Sequence, residues 1–316
     1  MSAHRTGLVL VSLTFVGASL APLGTATARA VPTCDGKPAT LVGTSGDDRL
    51  RGTSGDDVIV GLGGNDVIHG RGGDDVLCGG GGDDHLVGAR GDDTMLGQAG
   101  VDVLDDEGGG ISVMKAGPGN DFLQTEASDG GRFAGGPGND TYFIVGDHAH
   151  LDGGPGNDDL ELLSPVWSDE SLAGGSGHDL LMFDLQRHRS DGAGYRVVTA
   201  DLAAGTITAN HTSVPMTGFE DLSLSDEDLS IRDTSPAISK KYVLRGTSGP
   251  NQLLAGVSGP HAPPVRLFGR GGDDVLGGGS GPDLLDGGPG TDTGNGRSGH
   301  DVCHSIEVAH RCEVSN

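Results

Sequence analysis

Between Gly43 and Asp105 the apolar positions recur every nine residues. Leu50, Ile59, Ile68, Leu77, Leu86, Met95 and Leu104 all stand in one phase. Ahead of each lies a polar stretch with glycine at the first and fourth positions of a nonapeptide and aspartate at the sixth. The units begin at Gly43, Gly52, Gly61, Gly70, Gly79, Gly88 and Gly97; GTSGDDVIV and GRGGDDVLC are two of them. This pattern predicts a Gly-rich turn over positions one to six and a short strand over positions seven to nine, with residue eight pointing inward. Glycines at one and four are expected to allow positive φ and close backbone approach. Two nonapeptides then make one coil of eighteen residues, and coils stack at about 4.8 Å. The fold class predicted is all-β: a parallel β-roll (β-solenoid) with two short parallel sheets back to back.

The pattern returns further on with gaps. AGPGNDFLQ begins at Ala116, GGPGNDTYF at Gly135, GGPGNDDLE at Gly153 and GGSGHDLLM at Gly174. A last block starts units at Gly246, Gly269, Gly278, Gly287 and Gly296. Sixteen units keep the fourth-position glycine and fifteen keep the Asp, too many for chance in a Gly-rich chain. The starts from 116 to 174 are 19, 18 and 21 residues apart, so one degenerate unit must fill each gap. The rule is broken in places: Asn251 stands for Asp, Gly294 and Cys303 for the aliphatic residue, and Ala116 for the first glycine.

Composition agrees with a thin core. Gly accounts for 60 of 316 residues, and aromatic residues for only 3%. The net charge of −25 argues against nucleic acid as a partner, because phosphate binding needs Lys and Arg clusters. Acidic excess alone would signify solubility, yet here Asp recurs at one phase. The eighteen-residue coil puts Asp48, Asp66, Asp84 and Asp102 on one edge and Asp57, Asp75 and Asp93 on the other. Carboxylates stacked so closely repel unless a hard, oxygen-seeking cation such as Ca2+ lies between them.

These repeats resemble those of the RTX, or hemolysin-type calcium-binding, family. The opening CDGKPATLVGTSGDD and the ending DVCHSIEVAHRCE also resemble small secreted bacterial members of it. The resemblance implies a parallel β-roll whose turns bind calcium through the position-six Asp and turn carbonyls. It carries the ligand role onto Asp48, Asp57, Asp66, Asp75, Asp84, Asp93, Asp102, Asp121, Asp140, Asp158, Asp179, Asp274, Asp283, Asp292 and Asp301. In the block from Ala116 to 182 the calcium sites are expected on one edge only.

No catalytic motif accompanies the repeats. H-E-x-x-H is absent, and GTSGD, GVSGP and GRSGH place glycine directly after serine, unlike G-x-S-x-G. Histidines such as His69, His85, His178 and His300 read as solvated turn or strand-face residues, and Asp226, Glu227 and Asp228 as an acidic turn. Residues 183–245 break the period with β-branched and polar alternation and are expected to add β structure without metal.

Residues 1–30 read as a secretory leader, with an apolar run from Leu8 to Leu20 and an Ala28-Arg29-Ala30 cleavage site. Cys34, Cys78, Cys303 and Cys312 are then expected to form two disulfides, for which three connectivities exist. Cys303 and Cys312 lie one repeat apart, which puts them inward on opposite sheets if the roll continues, and a bridge there would pin the last coil. Cys34 and Cys78 bracket the first units and are the other expected pair. A zinc site is the weaker reading, since no C-x-x-C pair exists.

The chain thus divides into a leader (1–30), a regular roll (31–115), a less regular repeat block (116–182), a β-rich insert (183–245) and a C-terminal repeat block (246–316). The expected function is a secreted, extracellular, non-enzymatic calcium-binding protein that folds on binding Ca2+. Its partners are calcium ions, with no nucleic acid and no membrane insertion. A calcium-stiffened adhesin or surface component is the alternative, ahead of a hydrolase with an unfamiliar site.

Overall fold

Position eight sets the architecture. In the computed structural model its residues stack in single file, with Ile59, Leu77, Met95, Met114, Phe133 and Leu151 in register on one sheet. Leu50, Ile68, Leu86, Leu104, Leu123, Tyr142, Leu160 and Leu181 form the facing column. Nearly all are shielded from solvent, and the two columns belong to one core cluster. Tyr142 fits this column because its hydroxyl donates to the Asp152 carbonyl at 2.7 Å, which satisfies its one polar atom.

The model describes residues 30–128, 130–146, 148–163, 170–184, 197–209, 212–226, 241–258 and 262–314. The leader reading therefore falls outside the described residues except for Ala30, as do Glu227 and Asp228. The elements below lie in the unit Pro32–Asn316. Among the described residues the structure is all β, with no helix. Strands alternate between a 13-stranded and a 16-stranded sheet, and pairing is parallel with a step of about one coil. The degenerate half-coils expected after Ala116 are present as strands Gly131–Ala134, Ala149–Pro155 and Ser171–Ser176.

The turn is shorter than the sequence pattern predicts. Val58–Gly63, Val67–Gly72, Val76–Gly81, His85–Arg90 and Thr94–Ala99 each run six residues, through positions one to three of the next unit. Parallel pairing persists there because Leu62, Arg71, Ala89 and Gln98 adopt positive φ and still align with a neighbouring coil. Positive φ thus falls on positions two and four, not one and four. Position-one glycines are needed instead for close approach. At Gly52 a Cβ would lie 2.5 Å from the Gly70 carbonyl oxygen of the next coil.

The insert adds unevenly to the two sheets, with one strand in the 13-stranded sheet and the rest in the other. Val197–Asp201, Thr206–Ala209 and Thr212–Thr217 form an antiparallel meander. Its first strand runs parallel to Lys241–Arg245 and its last to Ser171–Ser176. On the facing sheet Leu180–Asp184, Asp221–Asp226 and Gln252–Val257 stack without interruption. Arg270 ties the meander to the last block by a two-pronged ion pair with Asp201, both contacts at 2.8 Å.

Both disulfides form as expected. Cys34–Cys78 fastens the hairpin Thr33–Cys34/Lys37–Pro38 over the outer face of the first coils, where Val60 and Val76 are buried beside it. Cys303–Cys312 closes the C-terminal end. The last coil is shortened, however, so the two cysteines do not sit on opposite sheets. Val302–His304 and Glu313–Val314 pair within one sheet, and Cys312 immediately precedes the second of these strands. Gly294 makes room here: a Cβ on it would meet the Ile306 side chain at 2.5 Å and the Cys303 sulfur at 3.5 Å.

Candidate metal centre

Two side-chain ladders run along the turns in opposite senses. At position six, each backbone N–H donates to the carboxylate one coil further on. Asp48 donates to Asp66, Asp66 to Asp84 and Asp84 to Asp102, all at 2.8 Å. The ladder continues through Asp121, Asp140, Asp158 and Asp179. At position five the direction reverses. Asn65 N–H donates back to Asp47 and Asp83 N–H back to Asn65, at 2.8 and 3.0 Å.

The opposite edge carries Asp57, Asp75 and Asp93 in the same arrangement. It then loses its carboxylates: Ser112, Gly131 and Ala149 occupy the next three places in register. Asp121, Asp140, Asp158 and Asp179 accordingly share a single edge. After the insert, Asn251, Asp274 and Asp292 form one ladder, and Asp283 and Asp301 the other.

Two ladder members escaped the sequence reading. Asp179 N–H donates to Glu220 at 2.9 Å, and Asp292 N–H to Glu307 at 2.7 Å. Each glutamate ends a ladder segment, with a longer side chain reaching back. Neither sits in a G-x-x-G-x-D frame; the signal that could have found them is the acidic residue just ahead of an apolar strand in G-F-E-D-L and S-I-E-V. The position-five Asp and Asn residues were equally invisible as a ladder, although D-D and N-D pairs recur.

Position six splits into two states. In twelve turns the Oδ1 atom accepts from the preceding coil or lies near it, while Oδ2 is buried and has no hydrogen-bond partner. These are the turns of Asp66, Asp75, Asp84, Asp93, Asp102, Asp121, Asp140, Asp158, Asp179, Asp274, Asp292 and Asp301. In the other four turns, those of Asp48, Asp57, Asn251 and Asp283, the corresponding oxygen accepts from the N–H of position two at 2.6–2.7 Å.

Electrostatics sets Asp57 apart from the twelve turns with an unpartnered Oδ2, but not Asp283. Burial pushes Asp93 and Asp140 up to about 7, and Asp75, Asp84, Asp102, Asp121, Asp158 and Asp274 up to about 6. Asp57 shifts the other way, held below the usual range by the Thr53 N–H. Asp283 is also pushed up to about 6 by burial, against the bonds from Val265 and Gly279.

An unpartnered buried carboxylate oxygen is costly unless a cation compensates it. Carbonyls converge on the same space. A Cβ at Gly79 would lie 2.8 Å from the Gly97 carbonyl and against Asp84 Oδ2, and one at Gly97 would lie 2.7 Å from the Ala116 carbonyl and against Asp102 Oδ2. Among the described residues, no three Asp, Glu, His or Cys side chains converge on one point. A cation held here takes most of its ligands from the backbone, and an all-oxygen set of carbonyls and carboxylates fits a hard ion such as Ca2+. The cysteines are disulfide-bonded and supply no thiolate.

The model of the RTX calcium-binding nonapeptide repeat matches residues 42–77, 79–105 and 268–303, in four copies. The chain carries RTX calcium-binding repeats. RTX nonapeptide repeats bind Ca2+, which is the ion the donor set fits. The matched stretches contain both turn states, since Asp48 and Asp57 fall in the first of them. No curated protein matches the chain. RTX repeat proteins are typically secreted, and the two disulfides accord with an oxidising location.

Proposed function

We propose that this is a secreted, non-catalytic protein that folds when calcium fills its RTX turns. The observation that carries this reading is the file of twelve buried Oδ2 atoms without partners. Each stacked carboxylate raises the energy of the cation-free fold, and each bound ion offsets it. Residues 1–30 serve as the export leader, removed after Ala30, so N-terminal sequencing of exported protein begins at Val31. In the cytosol, low free calcium leaves the acidic chain open. Outside, millimolar calcium suffices for sites with Kd of about 10⁻⁴–10⁻³ M.

The test is far-UV circular dichroism of the 31–316 chain during calcium titration, with calorimetry on the same sample. Strand signal should appear cooperatively with calcium and vanish on chelation. Equal β content with and without chelator would refute folding on calcium. A hydrolase screen of the loaded protein that found turnover, abolished by a point substitution, would refute the non-catalytic reading.

A further inference from the structure

We infer that the four turns of Asp48, Asp57, Asn251 and Asp283 hold no calcium, and that their position-two N–H groups take the place of the ion. This rests on the reading that calcium is held through position-six Oδ2 in the other twelve turns.

Carboxylate bonding gives the first line of argument. Asp48 Oδ2 accepts from the Thr44 N–H at 2.6 Å and its hydroxyl at 2.9 Å. Asp57 Oδ2 accepts from the Thr53 N–H at 2.7 Å and its hydroxyl at 2.9 Å. Asn251 Oδ1 accepts from Thr247 in the same way, and Asp283 Oδ2 accepts from the Gly279 N–H at 2.6 Å. The atom that would face the ion is already satisfied by donors of its own turn.

Backbone conformation gives a second, independent line. All twelve open turns have positive φ at position two, from Leu62 at 87° to Arg297 at 67°. None of the four closed turns has positive φ at position two or four. Thr suits the closed state because its β-branch disfavours positive φ and its hydroxyl adds a donor.

Location explains why these four differ. Asp48 and Asp57 begin the two N-terminal ladders, whereas Asn251 and Asp283 begin the two C-terminal ones. Pro250 and Pro282 stand at position five of the later two. Proline has no N–H to donate backward, so it fits only where the position-five ladder has nothing behind it. None of these four turns has a ladder Asp behind it with which to share an ion: Asp283 finds Val265 there, whose N–H its Oδ1 accepts, and Asn251 finds Glu220, to whose carbonyl it donates. Closing the turn on its own N–H solves that problem without metal.

The experiment counts bound calcium by native mass spectrometry in wild type, Asp48→Asn, Asp57→Asn and Asp84→Asn, with circular dichroism at saturating calcium to check folding. Asn251 already occupies a closed turn, so Asn is compatible with that state. The expected result is an unchanged calcium count for Asp48→Asn and Asp57→Asn, with the titration midpoint within about twofold of wild type. Asp84→Asn should lose at least one ion. Loss of an ion in Asp48→Asn or Asp57→Asn, comparable to that in Asp84→Asn, would overturn the inference. Wild type binding no calcium would instead sink the functional reading on which it rests.

Discussion

The Asn251 side-chain amide donates to the Glu220 carbonyl at 2.6 Å, joining ladder segments that are 31 residues apart in sequence. Asp cannot make this bond, because an ionised carboxylate only accepts. The departure from the repeat at this position is thus a donor requirement and not a weakened ligand. Asn251→Asp should destabilise the calcium-loaded protein by about 1–3 kcal/mol, since it sets two acceptors against each other. Urea unfolding at saturating calcium checks this; a midpoint equal to wild type would contradict it.

Acidification should partly replace calcium. Burial raises the carboxyls of the twelve open turns above their ordinary value, with Asp93 and Asp140 at about 7. Asp75, Asp84, Asp102, Asp121, Asp158 and Asp274 stand at about 6, while Asp57 shifts the other way. Because the folded values exceed the unfolded ones, the cation-free fold binds protons more tightly than the open chain. That contribution is complete below about pH 4 and is lost as pH rises through about 6–7. Metal-stripped protein should therefore show more strand signal at pH 4 than at pH 8, while calcium affinity weakens toward acid. Circular dichroism across this range, with and without calcium, measures both effects. Strand signal that grew with pH in metal-free protein would be incompatible with the buried ladder.

Restoring the repeat consensus at Gly294 should harm the protein. The space that a position-eight side chain would fill is taken by Ile306 and the Cys303 sulfur. Gly294→Leu overpacks this end and should cost about 1–3 kcal/mol, read as a lower thermal midpoint in calcium. Leu276→Ala, one coil earlier in the same column, should cost about 2–5 kcal/mol through the opposite fault, a cavity.

The two disulfides should contribute unequally. Cys34–Cys78 closes 44 residues and Cys303–Cys312 only nine. The chain-entropy model assigns about 4 kcal/mol to the longer loop and about 3 to the shorter. Cys34→Ser should therefore lower the denaturation midpoint more than Cys312→Ser, with the remaining bridge intact in each.

Much of this fold was legible because one residue phase carries each function. Position eight read as core, position six as a ladder, and the eighteen-residue coil placed Asp48 and Asp57 on separate edges before any coordinates. What stayed hidden depends on hydrogen-bond direction and on spaces between coils. The only signal in GTSGDD that Thr53 rather than an ion satisfies Asp57 is the position-two Thr itself, which periodicity does not register. Glu220 and Glu307 join the ladders from outside the repeat frame, where periodicity is silent. The strand boundary was misjudged because Leu62 and Arg71 keep pairing at positive φ, which non-glycine residues rarely adopt.

The opposed senses of the two ladders give the roll a polarity. On its C-terminal face, an unfinished coil presents a position-six N–H awaiting a carboxylate and a position-five side chain awaiting an N–H. The coil that arrives next satisfies both. On the N-terminal face the position-six Oδ2 atoms are instead bonded within their own turns. The two ends of the roll are therefore chemically unlike: one offers a backbone donor at position six and a side-chain acceptor at position five, and the other offers the reverse pair.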